Sequence, residues 1–324
     1  MSNPDRIIVE APARLHFGVL DLGGRLGRCF GGLGAAIPHP SLRIEVSASD
    51  RLSGAGPECE RAVEFARRFL AYHRLPRGAH LVVRQAIPAH SGLGSGTQLA
   101  LAVGRALSEI YGISGDVLQL AQATGRGKRS AIGTWAFALG GFIVEGGRRP
   151  ESESIAPLLA RFAIPNEWRY VLAVPSGGRG LSGAAETRAF EELPHPSDRE
   201  VERVSHLVLM QLLPALVEVD LPSFGAALSE VQRITGGWFA TQQGGIFAPG
   251  PTEELITAMA KWGAAGVGQS SWGPAAYGLV EGADAGAALA RRVEALLGGA
   301  GAVFQGGFAS EGAQIPAAPN RAEN

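Results

Sequence analysis

Cysteine is scarce in this chain. Cys29 and Cys59 are the only two in 324 residues. Their spacing matches neither a CxxC pair nor a zinc pattern, and two thiols make no disulfide framework, which points to a reducing, cytoplasmic setting. An excess of charge of one sign is missing as well. The formal net charge is −1 and no block rich in lysine or arginine stands out, which argues against nucleic acid as a partner. No apolar run reaches the length of a membrane span. The longest, Leu207 to Val219, is interrupted by Gln211, Pro214 and Glu218. That run offers apolar surface for a homodimer or, equally, material for a core. The polar start, Met1 to Arg6, leads straight into a strand-like run, so no signal peptide is expected. Internal repeats are absent, and His39, His73, His80, His195 and His206 fall into no ligand pattern.

What is present is a globular composition, with 46% hydrophobic and 18% charged residues in a chain long enough for two domains. Glycine is in excess: the chain has 46, against a usual share of roughly 7%. Pairs at Gly23–Gly24, Gly31–Gly32, Gly140–Gly141 and Gly306–Gly307 suggest tight turns and close backbone approach to a ligand, although drift toward Gly, Ala and Arg explains part of the excess.

Periodicity predicts a strand pair at Ile7–Val9 and Leu15–Leu20, an alternating strand at Leu42–Ser47, a helix over Glu58–His73 and a strand over His80–Ile87. A helix follows over Thr97–Tyr111, a shorter one opens at Ser114 or Asp116, and a strand at Gly140–Glu145 closes the first half. The polar stretch Gly146–Ser154 suggests a boundary, giving domains of 1–150 and 151–310 and a mobile tail over 311–324. The second half reads as a strand at Tyr170–Val174, helices from Ser182, Asp198 and Leu221, and a glycine-rich strip at Gly236–Gly245. A helix near Glu253, strands near Val267 and Tyr277, a helix over Asp284–Leu297 and a last strand near Ala302 complete it. The mixed order indicates α+β domains.

The most informative run is Pro88-Ala89-His90-Ser91-Gly92-Leu93-Gly94-Ser95-Gly96-Thr97, between a strand and a helix. The first N–H groups of a helix have no intrahelical partner and its dipole favours negative charge there, so a glycine-rich turn at that point makes an anion site. Ser95 and Gln98 have the spacing of a capping box; alternatively Ser95 or Thr97 faces a phosphate or metal. Arg14 and His16 alternate on one strand face. Arg126, Lys128 and Arg129 form a basic cluster, either a solvated helix end or part of an anion site.

The glycine run resembles the second motif of the GHMP kinase superfamily, Pro-x-x-x-Gly-Leu-Gly-Ser-Ser. Ala11-Pro12-Ala13-Arg14-Leu15 is similar to the opening strand of that superfamily, and Gly266–Leu279 stands where its third motif is expected. The resemblance implies a GHMP kinase fold, with a ribosomal-S5-domain-2-like N-terminal domain and a ferredoxin-like C-terminal domain. Three departures stand out. The second serine of the loop is Gly96, and the third motif reads Gly268-Gln269-Ser270-Ser271-Trp272-Gly273-Pro274. Gly133 occupies the place where many of these kinases carry an aspartate that accepts the proton of the substrate hydroxyl. Glycine has no side chain for that task.

Arg14-Leu15-His16-Phe17-Gly18, Gly31-Gly32-Leu33-Gly34, Arg179-Gly180-Leu181-Ser182-Gly183 with Glu186, and Gly268–Pro274 resemble the β-ribofuranosylaminobenzene 5′-phosphate synthase family. Its members are magnesium-dependent phosphoribosyltransferases of methanopterin synthesis. They join phosphoribosyl pyrophosphate to 4-aminobenzoate and release CO2 and pyrophosphate. The resemblance implies catalytic roles for Arg14, His16, Arg179, Gln269 and Ser270, and phosphate binding along His90, Ser91, Gly92, Leu93, Gly94, Ser95, Gly96 and Thr97. It further implies substrate contacts from Arg129, Ser271 and Trp272, and magnesium near Asp21 and Glu186. Whether the aromatic acid is 4-aminobenzoate or 4-hydroxybenzoate stays open. An ATP-dependent small-molecule kinase is the alternative reading, and a non-catalytic phosphate-ligand-binding protein a third.

Overall fold

The computed structural model describes residues 6–76, 78–152, 154–178, 180 and 188–316. The chain opens with two long strands, β1 (Arg6–Asp21) and β2 (Phe30–Ser49), which pair antiparallel along most of their length. The two expected strands at Ile7–Val9 and Leu15–Leu20 are therefore one strand. Pro12 and Gly18 break its apolar pattern because the register shifts between Pro12 and Ala13 and again between His16 and Gly18. After β3 (Ser53–Ala55) comes α1 (Cys59–Tyr72), which buries Ala62, Phe65, Ala66, Phe69 and Leu70 at helical spacing. β4 (Gly78–Gln85) leads into α2 (Ser95–Tyr111). Next come α3 (Val117–Ala123), α4 (Ile132–Leu139), β5 (Phe142–Glu145) and β6 (Leu158–Phe162). Asp116 caps α3 by accepting the N–H groups of Leu118 and Gln119. The first sheet runs β3-β4-β2-β5-β6, with β1 on β2, so it continues past residue 150 to Phe162.

The second sheet is antiparallel, in the order β10-β7-β9-β8. Its strands are β7 (Trp168–Pro175), β8 (Gly266–Gln269), β9 (Ala276–Glu281) and β10 (Gly301–Gly306). Between β7 and β8 lie α5 (Asp198–Leu207), α6 (Leu213–Val217), α7 (Leu221–Gln243) and α8 (Pro251–Lys261). Between β9 and β10 lies α9 (Ala283–Leu297). This order of strands is the ferredoxin-like one expected for the second half, with several helices in the first crossover. Ser197 and Glu200 form a capping box on α5. α7 carries the expected glycine strip into its last turns. Gly236 lacks a side chain because the backbone of Ile246 folds back against it.

Alternation along β7 divides the core. Tyr170 and Leu172 join the large apolar cluster shared with β1, β2 and α2. Val171 and Ala173 face a second cluster with Leu255, Ile256, Met259 and Leu289 on α8 and α9. Phe17 of β1 meets Tyr277 of β9 at 5.3 Å between ring centroids, and Phe142 of β5 meets Phe224 of α7 at 5.8 Å. Such aromatic pairs each add about 1 kcal/mol beyond simple burial; the first ties the two sheets together and the second ties the first sheet to α7. The Leu207–Val219 stretch is split. Leu207, Val208, Leu212, Ala215 and Leu216 are buried, while Leu209, Met210, Val217 and Val219 are exposed.

Residues 311–316, expected as the start of a loose tail, return to the first sheet. Gln314 bridges Glu10 in both directions and the Ala313 N–H donates to the Phe137 carbonyl. Gly140 and Gly312 lack side chains where these segments touch. Among the described residues no helix is long and apolar enough to cross a membrane.

Candidate active site

The glycine loop and the third-motif loop interlock backbone against backbone. Gly92 has φ +83°, and a Cβ there would run into the Ser270 carbonyl oxygen; a Cβ on Gly273 would run into the backbone of Ser91. Both glycines are needed because no side chain fits between the loops. Ser270 fastens the junction. Its hydroxyl donates to the Gly92 carbonyl at 2.7 Å and accepts the His16 N–H at 3.0 Å. Ser270 is fully buried and does not line the cavity beside it. The hydroxyl expected among the catalytic groups is thus committed to this junction. Gln269 is similarly committed: its side chain accepts the Ala248 N–H and donates to Gln243 and to the Ser271 carbonyl. Within the expected phosphate run, Ser91 donates to the Pro88 carbonyl at 2.7 Å and Leu93 belongs to the apolar core, so neither side chain lines the cavity. The His90 carbonyl accepts the Gly180 N–H at 2.8 Å, which brings Gly180 against the glycine turn. Arg179 and Glu186 lie outside the described residues.

The cavity beside this junction measures about 600 Å³. His90, Gly92, Gly94, Ser95, Gly96 and Thr97 line one end. α2 is capped by Gly94 in the left-handed conformation, with no side-chain cap and no acidic residue in its first turn. The expected capping box is absent because the helix starts one residue early. Ser95 is its first helical residue, and Gln98 is buried, donating to the Gly133 carbonyl at 2.9 Å. The N-terminal end of α2 therefore faces the cavity without an internal anion. Arg14, Arg61, Arg68, Arg126, Lys128 and Arg129 line the same space, against one carboxylate, Glu64, among the described lining residues. Such an excess of cations in a low-dielectric cleft selects an anionic ligand. Arg14 of β1 crosses beneath the loop and donates to the Gly92 carbonyl and, at 3.5 Å, to the Ser270 hydroxyl.

The other wall is aromatic. Trp272 packs edge-on against Phe239 at 4.7 Å and Phe190 at 5.2 Å, and the Arg129 guanidinium lies 5.0 Å above the Phe190 ring. Arg129, Ser271 and Trp272, the expected substrate contacts, all line the cavity. Phe190 and Phe239 escape a sequence reading because they come from the 188–191 helical stretch and from α7, far apart in the chain. Arg61 and Arg68 escape for a different reason. They stand seven apart on the polar face of α1, where solvated charges are the ordinary pattern.

Behind the cavity lies a polar chain that the motifs do not disclose. His16 accepts the Gly18 N–H on Nδ1, which assigns its proton to Nε2, 3.2 Å from the Ser130 hydroxyl. Ser130 in turn hydrogen-bonds Glu145, a fully buried carboxylate that also accepts N–H groups from Gly147 at 2.7 Å and Ala131 at 3.3 Å. Burial and then nearby Arg14 lower the His16 imidazole to about 3, so it is neutral and acts by hydrogen bonding. Burial pushes the Glu145 carboxyl up to about 7, against the opposing pull of those N–H groups, Ser130 and Arg28.

The folded chain therefore holds a proton at Glu145 that the unfolded chain releases near 4.5. The stability this proton carries is complete below about pH 4.5 and is lost as pH rises through about 7. Glu145→Gln removes that dependence. The stability of the variant relative to the natural chain should rise by ~3 kcal/mol between about pH 4.5 and pH 8 in paired thermal melts. A constant difference would show that Glu145 titrates as an ordinary carboxylate.

Asp21 does not reach the cavity. Its Oδ1 accepts the N–H groups of Gly23 at 2.6 Å and Gly24 at 3.0 Å, closing its own turn. Glu64 is bound to Arg67 and, at 3.0 Å, to Arg68. Among the described residues no three His, Cys, Asp or Glu side chains gather to hold a metal. They do not fit a magnesium cage of the protein's own making.

A glycine-rich loop at a helix start, clasped to a ferredoxin-like domain, defines the class. Residues 59–141 match the GHMP kinases N terminal domain. The fold resembles that of L. major mevalonate kinase with a TM-score of 0.70 and 16% identity, covering 96% of this chain and 100% of that one. It also resembles homoserine kinase from Cytophaga hutchinsonii with a TM-score of 0.66 and 16% identity, covering 98% and 99%. At that identity the likeness is one of fold. Two curated relatives are much nearer in sequence. Beta-ribofuranosylphenol 5'-phosphate synthase of Methanothermobacter thermautotrophicus is 37% identical over 85% of this chain and 89% of its own length. The protein of the same name from Archaeoglobus fulgidus is 37% identical over 84% and 87%. The chain is an enzyme belonging to the β-ribofuranosylphenol 5′-phosphate synthase family.

Proposed function

We propose that the chain transfers the phosphoribosyl group of 5-phosphoribosyl 1-pyrophosphate to the ring carbon of 4-hydroxybenzoate that bears the carboxylate, releasing pyrophosphate and CO2. The carrying observation is the single cavity with a cationic end at the start of α2 and an aromatic wall at Trp272, Phe239 and Phe190. The names of the relatives specify a phenol product, which favours the hydroxy acid over 4-aminobenzoate.

The reaction balances without a strong base. The bond between ribose C1 and the pyrophosphate oxygen breaks and leaves positive charge on the sugar. The ring carbon forms the new bond, pushed by the para oxygen. The electrons of the carbon–carboxylate bond then return to the ring as CO2 departs, so no ring proton is removed. The chain has to hold two anions and a flat ring in line and keep water out. Arg14 and the glycine loop neutralise phosphate charge. Arg129, stacked on Phe190, meets the carboxylate, and Trp272 packs on the ring. The described carboxylates make no magnesium cage of their own; a magnesium ion would have to be brought in with the pyrophosphate, where it would supply charge neutralisation to the leaving group. The reducing cytoplasm and the methanopterin pathway belong to the same proposal.

Position 133 separates this reading from alcohol phosphorylation. A side chain at Gly133 would meet Thr97 at the cavity edge, 3.2 Å from its Cγ2, and glycine places no proton acceptor there. The test is purified protein with phosphoribosyl pyrophosphate, magnesium and either 4-hydroxybenzoate or 4-aminobenzoate, followed by mass analysis. The expected result is a C-riboside 5′-phosphate with one CO2 and one pyrophosphate per product. Consumption of ATP with no turnover of phosphoribosyl pyrophosphate would transfer the chain to the kinases.

A further inference from the structure

Gly96 stands where the kinase motif has its second serine, and the structure shows what fills the vacated space. A Cβ built on Gly96 would lie 2.5 Å from Nη2 of Arg61 and 3.4 Å from Nη2 of Arg126. The guanidinium groups of two distant elements, α1 and the loop after α3, thus converge on the volume that a serine side chain would claim. Neither arrives by chance packing of a loose side chain. Arg126 donates to the Thr97 hydroxyl at 3.2 Å and lies 5.9 Å above the Phe65 ring. Arg61 is held by Glu58 at 2.6 Å, and Glu58 caps α1 in a left-handed conformation, φ 57°. Two turns further along the same face of α1, Arg68 lines the cavity too.

We propose that Arg61 and Arg126 form the second half of a diphosphate cradle, whose first half is the glycine loop, and that the missing side chain at position 96 determines this ligand preference by admitting Arg61. One phosphoryl group rests on the loop, and the adjoining one meets the two guanidinium groups, whose forked donors match phosphate oxygens. A monophosphate uses only one half. An uncharged group placed over position 96 would have to displace two cations. The identity of the diphosphate as phosphoribosyl pyrophosphate rests on the function proposed above; the cradle itself does not.

The experiment measures affinity for inorganic pyrophosphate and inorganic phosphate by calorimetric titration. The proteins are the natural chain, Arg61→Ala and Gly96→Ser. The natural chain should bind pyrophosphate about tenfold or more tightly than phosphate. Both variants should lose about tenfold or more in pyrophosphate affinity while phosphate affinity stays within about threefold. Gly96→Ser should melt near the natural temperature, because the atom it meets is the far end of a flexible side chain. Should Gly96→Ser fail to fold, Arg61→Ala decides alone: the arginine contributes a half-buried, charged side chain on α1, outside the apolar core, and its loss spares that core. Pyrophosphate affinity unchanged in Arg61→Ala, or lost in step with phosphate affinity, overturns the cradle. Product formation from phosphoribosyl pyrophosphate is scored separately. Its failure beside an intact pyrophosphate result would leave the cradle standing and remove only the proposed reaction.

Discussion

Phenol offered in place of 4-hydroxybenzoate should turn over about a thousandfold more slowly at saturation, a penalty of about 4 kcal/mol at the transition state. The expectation follows from the bases the cavity does and does not present. Ring attack by phenol leaves a proton on the attacked carbon, and aromaticity returns only when a base removes it. Among the described residues, Glu64 is the one carboxylate on the cavity wall, and hydrogen bonds from Arg68 and then Arg67 hold its carboxyl below the usual range. His16 is neutral, but both of its ring nitrogens are engaged, with Gly18 and with Ser130; His90, the other imidazole on the wall, belongs to the glycine loop, where the phosphates rather than the aromatic ring are proposed to rest. Glu145 sits behind Ser130, fully buried. With 4-hydroxybenzoate the departing CO2 replaces that proton. Weaker binding of phenol, which lacks the carboxylate for Arg129, would raise KM, whereas a missing chemical exit lowers kcat. Measuring kcat for both compounds, with pyrophosphate and CO2 counted per product, separates the two effects. Comparable kcat values, or C-riboside formed from 4-hydroxybenzoate without CO2, would sink the mechanism.

The parts of this site that lie in one stretch of chain are legible in the sequence. The strand, glycine turn and helix start at Pro88–Thr97 form a contiguous unit, and the backbone physics of a helix N-terminus does not depend on what packs around it. The departure at Gly133 is legible in the same way, as a side chain that is simply not there. Residues whose role depends on which partner reaches them first are not. Ser270 and Gln269 have the polar chemistry of catalytic groups, yet the loop junction takes the hydroxyl of Ser270, and the amide of Gln269, though on the cavity wall, is engaged with Ala248, Gln243 and Ser271. Asp21 looks like a metal contact until its own turn claims it. Glu145 ends the short apolar strand β5 beside a glycine pair, and nothing in its neighbours distinguishes an exposed strand end from a buried carboxylate. The aromatic wall and the arginine pair over Gly96 are assembled from α1, α7 and loops more than a hundred residues apart in part, so no local pattern encodes them.

The two glycines at the centre of the turn should fail in different ways when each is replaced by alanine. Gly92→Ala must place a Cβ at φ +83° and against the Ser270 carbonyl oxygen, which is backbone and cannot swing aside. A left-handed conformation costs an L-residue roughly 1–2 kcal/mol. The collision also pries apart the junction that Ser270 closes onto Gly92 and His16. Together these predict a loss of about 3 kcal/mol or more, a fall in Tm of roughly 6–10 °C. Gly94→Ala carries a comparable left-handed cost at φ +79°, but the nearest atoms to its Cβ all belong to the Arg14 side chain, Cγ first at 3.1 Å, and that side chain can yield. That variant should keep most of its melting temperature while Arg14 is displaced from beneath the loop and the methyl crowds the helix start. Its pyrophosphate affinity should fall about tenfold or more. Thermal melts and pyrophosphate titration on both variants check the contrast. If Gly94→Ala binds pyrophosphate as the natural chain does, the anion does not rest on this turn. If Gly92→Ala melts unchanged, the interlock between the two loops is not what holds the domains in register.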